Sequence, residues 1–282
     1  VRAMIDGLAV QTHGSEFGPA VLLLHGFPDS AELWRGQVPV LVDAGYRVIT
    51  VDLRGFGASD KPVAVEEYAP ARVLGDVEAV LDGLGVDRAH VVGHDWGAVI
   101  AWVFASAKPD RVAGLVCLST GHPASYRRAG REQREKGWYT LLFQFDVAEE
   151  WLLQDSAAQL RELLAGHPDM EQAVARLQQP GAMTAALGLY RAWAPPESLV
   201  GPRRPPAPVD VPAMGLWGTE DRFLTEQQMT GSAQEVRGTW RFERIVGAGH
   251  WLPLEATAAV NRLLLDFLAR TTGDRPAEWR GR

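Results

Sequence analysis

The segment Gly93-His94-Asp95-Trp96-Gly97 sets a carboxylate between two glycines, each two positions away, directly before an apolar run that starts at Ala98. That is the pattern of a sharp strand-to-helix turn, which lifts its central residue out of a sheet at the positive end of a helix. An aspartate heading a helix is also an ordinary N-cap, so the turn alone leaves both readings open. Two later loops supply what a nucleophile needs, a base and an acid that orients the base. Gly218-Thr219-Glu220-Asp221-Arg222-Phe223 follows the apolar run 213–217, and Gly247-Ala248-Gly249-His250-Trp251 follows the run 241–246. The small residues before His250 allow its ring to swing over a sheet edge, where Asp221 can hold its second nitrogen. A lone loop histidine is commonly a plain surface residue, and Glu220 is an alternative acid. The order Asp95, Asp221, His250 reads as nucleophile, acid and base.

The elements that must position these loops form an α/β pattern. Apolar runs at 8–12, 20–24, 47–52, 89–92, 112–118, 213–217 and 241–246 read as strands covered on both faces, hence a mostly parallel, doubly wound sheet. Segments 32–43, 70–84, 98–107, 226–236 and 257–270 space apolar residues by three and four and read as crossover helices. The alternation stops over 122–208, where helical stretches at 138–153, 157–164 and 170–177 occur without a convincing strand. The expected organisation is a core of residues 1–121 and 209–282 with an inserted helical lid at 122–208. A proline-rich linker at 201–208 leads back to the sheet, and the polar stretch 271–282 is expected to be mobile.

Composition narrows the partners. The 282 residues are 46% hydrophobic and 22% charged, with a formal net charge of -7, and Arg127-Arg128 and Arg203-Arg204 are too short to track a phosphate backbone. No nucleic acid is expected. No apolar run approaches the ~20 residues of a membrane span, and Val1-Arg2-Ala3-Met4 lacks the pattern of a secretory signal. Cys117 is the only cysteine and lies in the apolar run 115–118, which permits no internal disulfide and no thiolate-rich metal site. A soluble, cytoplasmic enzyme is expected.

Five motifs in order carry a resemblance: His25-Gly26-Phe27-Pro28, the segment from Asp52 through Arg54, Gly55 and Gly57 to Ser59, Gly93-His94-Asp95-Trp96-Gly97, Trp217-Gly218 leading to Asp221, and Gly249-His250-Trp251. Over nearly its whole length the chain resembles the α/β-hydrolase superfamily, and more narrowly the epoxide hydrolases and the related haloalkane dehalogenases. The resemblance implies an oxyanion hole made by the Phe27 and Trp96 backbone amides, and a cis peptide before Pro28. It places Phe27, Trp96 and Trp251 around the substrate and requires neither cofactor nor metal. The segment from Asp52 to Ser59 is read as bracing for the loops. Tyr139 and Tyr190 stand in segments that look like the two lid motifs carrying the ring-opening tyrosines of epoxide hydrolases, whereas Tyr126 is read as packing.

Aspartate at the elbow restricts the chemistry. A serine attacking the sp³ carbon of an epoxide or alkyl halide would form an ether that histidine and water do not cleave. A carboxylate forms an ester, which they do. Attack of aspartate on a carboxylic ester would instead demand a high-energy anhydride, so ordinary esterase activity is not expected. The expected reaction is epoxide opening to a vicinal diol, with phenols donating to the epoxide oxygen. The alternative is dehalogenation by the same nucleophile. There the Trp96 indole would bind halide, with Trp138, Trp151 or Trp193 as second donor, since Phe27 stands where dehalogenases commonly carry asparagine. A more remote reading is a scaffold that binds a small ligand without turnover. Trp138, Phe143, Phe145 and Trp193 suggest an apolar or aromatic substrate. Substrate identity, stereochemical preference and oligomeric state are not legible.

Overall fold

A computed structural model describes residues 1–197 and 206–272. Residues 201–205 of the expected linker, with Arg203-Arg204, and the chain beyond 272 lie outside the described residues. The strands are β1 (Arg2–Ile5), β2 (Leu8–His13), β3 (Ala20–Leu24), β4 (Arg47–Val51), β5 (Ala89–His94), β6 (Val112–Leu118), β7 (Ala213–Gly218) and β8 (Trp240–Ile245). They form one sheet in the order β1-β2-β4-β3-β5-β6-β7-β8. Pairing is parallel from β4 through β8 and antiparallel at β1–β2 and β2–β4. This is the doubly wound, mostly parallel sheet of an α/β-hydrolase fold.

β3 and β5 are buried along their whole length and β6 at all but Ala113, as expected of strands covered on both faces. The helices α2 (Pro70–Gly83) and α3 (Trp96–Ala107) cover one face, and α1 (Val38–Asp43) with the helix Thr257–Thr271 covers the other. Two apolar clusters result, one on each face of the sheet; Leu22, Ile49, Val91 and Leu115 point to one, and Val21, Leu23, Val48 and Val116 to the other. β3 and β5 are adjacent in the sheet, with β4 beyond β3 and β6 beyond β5. The order therefore reverses between them, and the loops leaving their carboxyl ends diverge into a crevice. Those loops carry Phe27 and Asp95.

Between β6 and β7 the described chain is helical: α4 (Pro123–Arg128), α5 (Gly130–Lys136), α6 (Tyr139–Leu142), α7 (Ala148–Leu163), α8 (Met170–Leu177) and α9 (Ala182–Trp193). After β7 come α10 (Glu226–Thr230), then α11 (Leu252–Glu255) and α12 (Thr257–Thr271). The structure departs from the expected elements at several points. The expected helix 138–153 is broken after Leu142, and the guanidinium of Arg191 donates to the freed carbonyls of Phe143 and Phe145. The expected helix 32–43 is divided into a 3-10 turn, Ala31–Gly36, and α1, with Gly36 at the join and Pro39 in the first turn. The expected helix 226–236 likewise tightens to 3-10 geometry at Gly231. α7 is interrupted over Gln154–Ala157. β1 was not expected because its residues are mostly exposed and carry no alternation. Among the described residues, no helix is long and apolar enough to cross a membrane.

Candidate active site

Asp95 follows β5 directly and takes φ 52° and ψ -119°, a conformation costly for a residue with a side chain. The turn closes this tightly because its neighbours are glycines. A Cβ on Gly97 would collide with the Leu24 carbonyl oxygen, and one on Gly26 with the Asp95 carboxylate. The Phe27–Pro28 peptide is cis, as expected. In this arrangement the Phe27 amide donates to Asp95 Oδ1 at 2.8 Å, and the Trp96 amide also hydrogen-bonds to the carboxylate.

The other Asp95 oxygen, Oδ2, lies 3.5 Å from His250 Nε2. His250 Nδ1 is 2.9 Å from Asp221 Oδ2, so the ring bridges two carboxylates. Asp221 is fixed in turn, because its Oδ1 accepts the amides of Phe223 and Leu224 at 2.8 and 2.9 Å. Glu220, the alternative acid, is exposed, and its carboxylate meets the Thr219 hydroxyl rather than His250.

Burial favours a neutral Asp95, but the hydrogen bond and charge of His250 outweigh it and hold the carboxyl below its ordinary range. Burial also opposes an imidazolium at His250. The charge and hydrogen bond of Asp221, reinforced by Asp95, overcome that opposition and raise its pKa to about 10. His94 behaves differently: burial lowers it to about 4, so it is neutral and donates from Nε2 to the His250 carbonyl at 2.9 Å. Ser119 Oγ donates to the same carbonyl at 2.6 Å, which fixes the backbone under the His250 ring.

The tyrosines approach from the helices after β6. Tyr139 and Tyr190 have ring centroids 6.2 Å apart, and both line the cavities that Asp95 lines. Burial raises both phenols well above their ordinary pKa, with added repulsion from Tyr126 and Asp95 at Tyr139 and from Asp95 and Tyr139 at Tyr190. They remain protonated donors. Tyr190 packs edge-on against Trp96 at 4.9 Å and accepts a hydrogen bond from that indole. Phe27 packs against Tyr190 at 5.7 Å, and Trp251 packs against His250 at 5.3 Å.

Several contributors were not singled out from sequence. Phe223 packs against His250 at 5.1 Å and lines the cavity beside Trp251 with Leu163 and Leu164. Its neighbour Asp221 was the available signal. Phe143, noted only as an apolar residue, lies 4.8 Å from Tyr190. Tyr126, read as packing, is partly buried and lines the larger cavity. The segment from Asp52 to Ser59 braces the nucleophile side: Asp52 accepts the amides of Ala31 and Ala58, and Arg54 pairs with Asp76. His25 Nε2 accepts the Leu53 amide, so its Nδ1–H donates to Gly26.

Residues 19–257 match a sequence family described as alpha/beta hydrolase fold. The chain is 34% identical to epoxide hydrolase A of Mycobacterium tuberculosis, over 93% of this chain and 94% of that protein. It is 34% identical to epoxide hydrolase 3 of Xenopus tropicalis, over 90% and 72%. Among solved structures, an epoxide hydrolase from hot-environment metagenomes superposes with a TM-score of 0.84 at 28% identity, covering 95% and 98% of the two chains. A Bacillus megaterium epoxide hydrolase variant, solved with its product (R)-3-[1]naphthyloxy-propane-1,2-diol, superposes at 0.83 with 26% identity, covering 95% and 99%.

Proposed function

The chain belongs to the α/β-hydrolase family and, within it, to the epoxide hydrolases, and on that premise we infer that it opens epoxides to vicinal diols through an ester formed on Asp95. The observation that carries this reading is the division of labour on one carboxylate: Oδ1 is held by the Phe27 amide, while Oδ2 faces His250. Oδ2 attacks a ring carbon, the C–O bond breaks, and Tyr190 or Tyr139 delivers a proton to the departing oxygen. The remaining carbonyl oxygen is then Oδ1, already held by the Phe27 amide. Water attacks that carbonyl with His250 as base, and the amides stabilise the developing oxyanion. Collapse returns the alkoxy oxygen, formerly Oδ2, to the diol and leaves the water oxygen on Asp95.

The high pKa of His250 fits this order of events. In the free enzyme two carboxylates hold its proton. Esterification removes the charge on Asp95, so the imidazolium gives up its proton, which replaces the one the phenol lost in ring opening, and the neutral ring then takes the proton of the attacking water. Residues 122–208 act in this reading as a lid that carries the acid tyrosines over the nucleophile. The aryloxy diol in the Bacillus megaterium relative supports an aromatic or other apolar epoxide as substrate. Cys117, buried and unpaired, fits a cytoplasmic location.

Among the candidate second halide donors of the dehalogenase alternative, the Trp193 indole N–H donates to the Tyr68 carbonyl at 2.8 Å, Trp138 is 54% exposed, and Trp151 lines neither cavity at Asp95. Parallel incubation with an aryl epoxide and an alkyl bromide, with Asp95→Ala as control, tests the assignment. Diol without bromide, abolished in Asp95→Ala, is expected; bromide without diol would overturn it.

A further inference from the structure

Two cavities meet at Asp95, Tyr139 and Tyr190, and they are very unequal. The one enclosed by His250, Leu163, Leu164, Phe223 and Trp251 has a volume of about 20 Å³. A single water needs about 10–15 Å³, so this space suits the hydrolytic water and leaves no room for a carbon substituent. The other cavity has a volume of about 550 Å³ and apolar walls that include Val99, Val103, Pro123 and Leu224. It is of the size that encloses a whole small organic ligand.

The large cavity carries a charged feature that the opening of an epoxide does not use. Arg127 lines the same cavity from α4, is exposed, and has no ion-pair or hydrogen-bond partner among the described residues. Its neighbour Arg128, by contrast, is held by Glu235 at 2.6 Å. A free guanidinium at the solvent end of an apolar cavity is a receptor for a carboxylate.

We propose that the substrate is a terminal epoxide with one long, mostly apolar substituent, which lies in the large cavity and ends in a carboxylate bound by Arg127. The proposal rests on the epoxide hydrolase reading and names its substrate class. Attack then falls on an epoxide held in one direction, because the small cavity admits only the unsubstituted end.

The test compares kcat/KM for 4-(oxiranylmethoxy)phenylacetate, its methyl ester, and a trans-disubstituted aryl epoxide. The acid is expected to exceed the ester by about fivefold at low salt, with the margin shrinking as ionic strength rises. Arg127→Gln should bring that ratio to about one, and Arg127→Lys should restore part of it. The disubstituted epoxide should be at least about tenfold poorer than the ester, and Leu164→Ala should narrow that gap. An acid-to-ester ratio that is the same in wild type and Arg127→Gln would overturn the carboxylate site, and equal turnover of the disubstituted epoxide would overturn the terminal-epoxide assignment. Absence of diol from all three probes would overturn the activity itself, and this proposal with it.

Discussion

Asp95 stays charged in a buried place because two amides and an imidazolium surround it. Each of those partners has a separable task, so single substitutions should stop the reaction at different stages. His250→Gln removes the base but leaves the nucleophile, and Asp95 should accumulate as an ester visible by intact-protein mass spectrometry. Its turnover should fall by about 10²–10⁴. Tyr190→Phe should slow alkylation, measured before steady state, by up to about 10²-fold, with Tyr139 supplying the residual acid. Asp95→Asn imitates the neutral ester, so the His250 pKa should fall from about 10, as read by imidazole NMR; an unchanged value would mean that Asp221 alone sets it. The sign also fixes a stability window. Folding raises this pKa above the ordinary value of 6.5, so the stabilisation is complete below pH 6.5 and is lost as the pH rises to about 10. The difference in thermal midpoint between wild type and His250→Gln should shrink over that window. At this scale the sequence was informative where chemistry is concentrated in one residue type, as at Asp95, Asp221 and His250. It was silent on Phe223 and Leu164, whose place in a wall depends on how loops and helices turn in space.

The elements hold these residues through close approach and through capped breaks. Gly97 lets α3 start against the end of β3, and Gly97→Ala should cost about 1–3 kcal/mol or prevent folding, as read by denaturant unfolding. Arg191 closes the break between α6 and α7 by donating to Phe143 and Phe145 while pairing with both oxygens of Glu149. Arg191→Met should cost about 1–3 kcal/mol and slow alkylation more than ester hydrolysis, since the same segment positions Tyr139 and Phe143. The strands of the parallel sheet were legible because burial on both faces leaves a continuous apolar run. The break after Leu142 was not, because Phe143 and Phe145 preserve a helical apolar spacing, and the guanidinium that satisfies the turn lies far along the chain. β1 was hidden for the opposite reason, as an exposed edge strand buries too little to impose a pattern.

Across the whole molecule, the helices after β6 are fastened to the sheet by hydrogen bonds around the site. His167 Nδ1 accepts the Asp169 amide, so its Nε2–H donates to the buried Asp29, one residue beyond the cis proline. Lys136 donates to the Asp221 carbonyl, and Trp193 donates to Tyr68. The loop bearing Phe27, the loop bearing Asp221 and the tyrosine-bearing helices are thus parts of one framework, and in the proposed mechanism two half-reactions share one carboxylate within it. The most direct test of that sharing is a single turnover in H₂¹⁸O with enzyme in excess over epoxide. Unlabelled diol and one heavy oxygen in the peptide that contains Asp95 are expected. Heavy oxygen in the diol with an unlabelled peptide would mean that water attacks the epoxide directly, and would contradict the sharing.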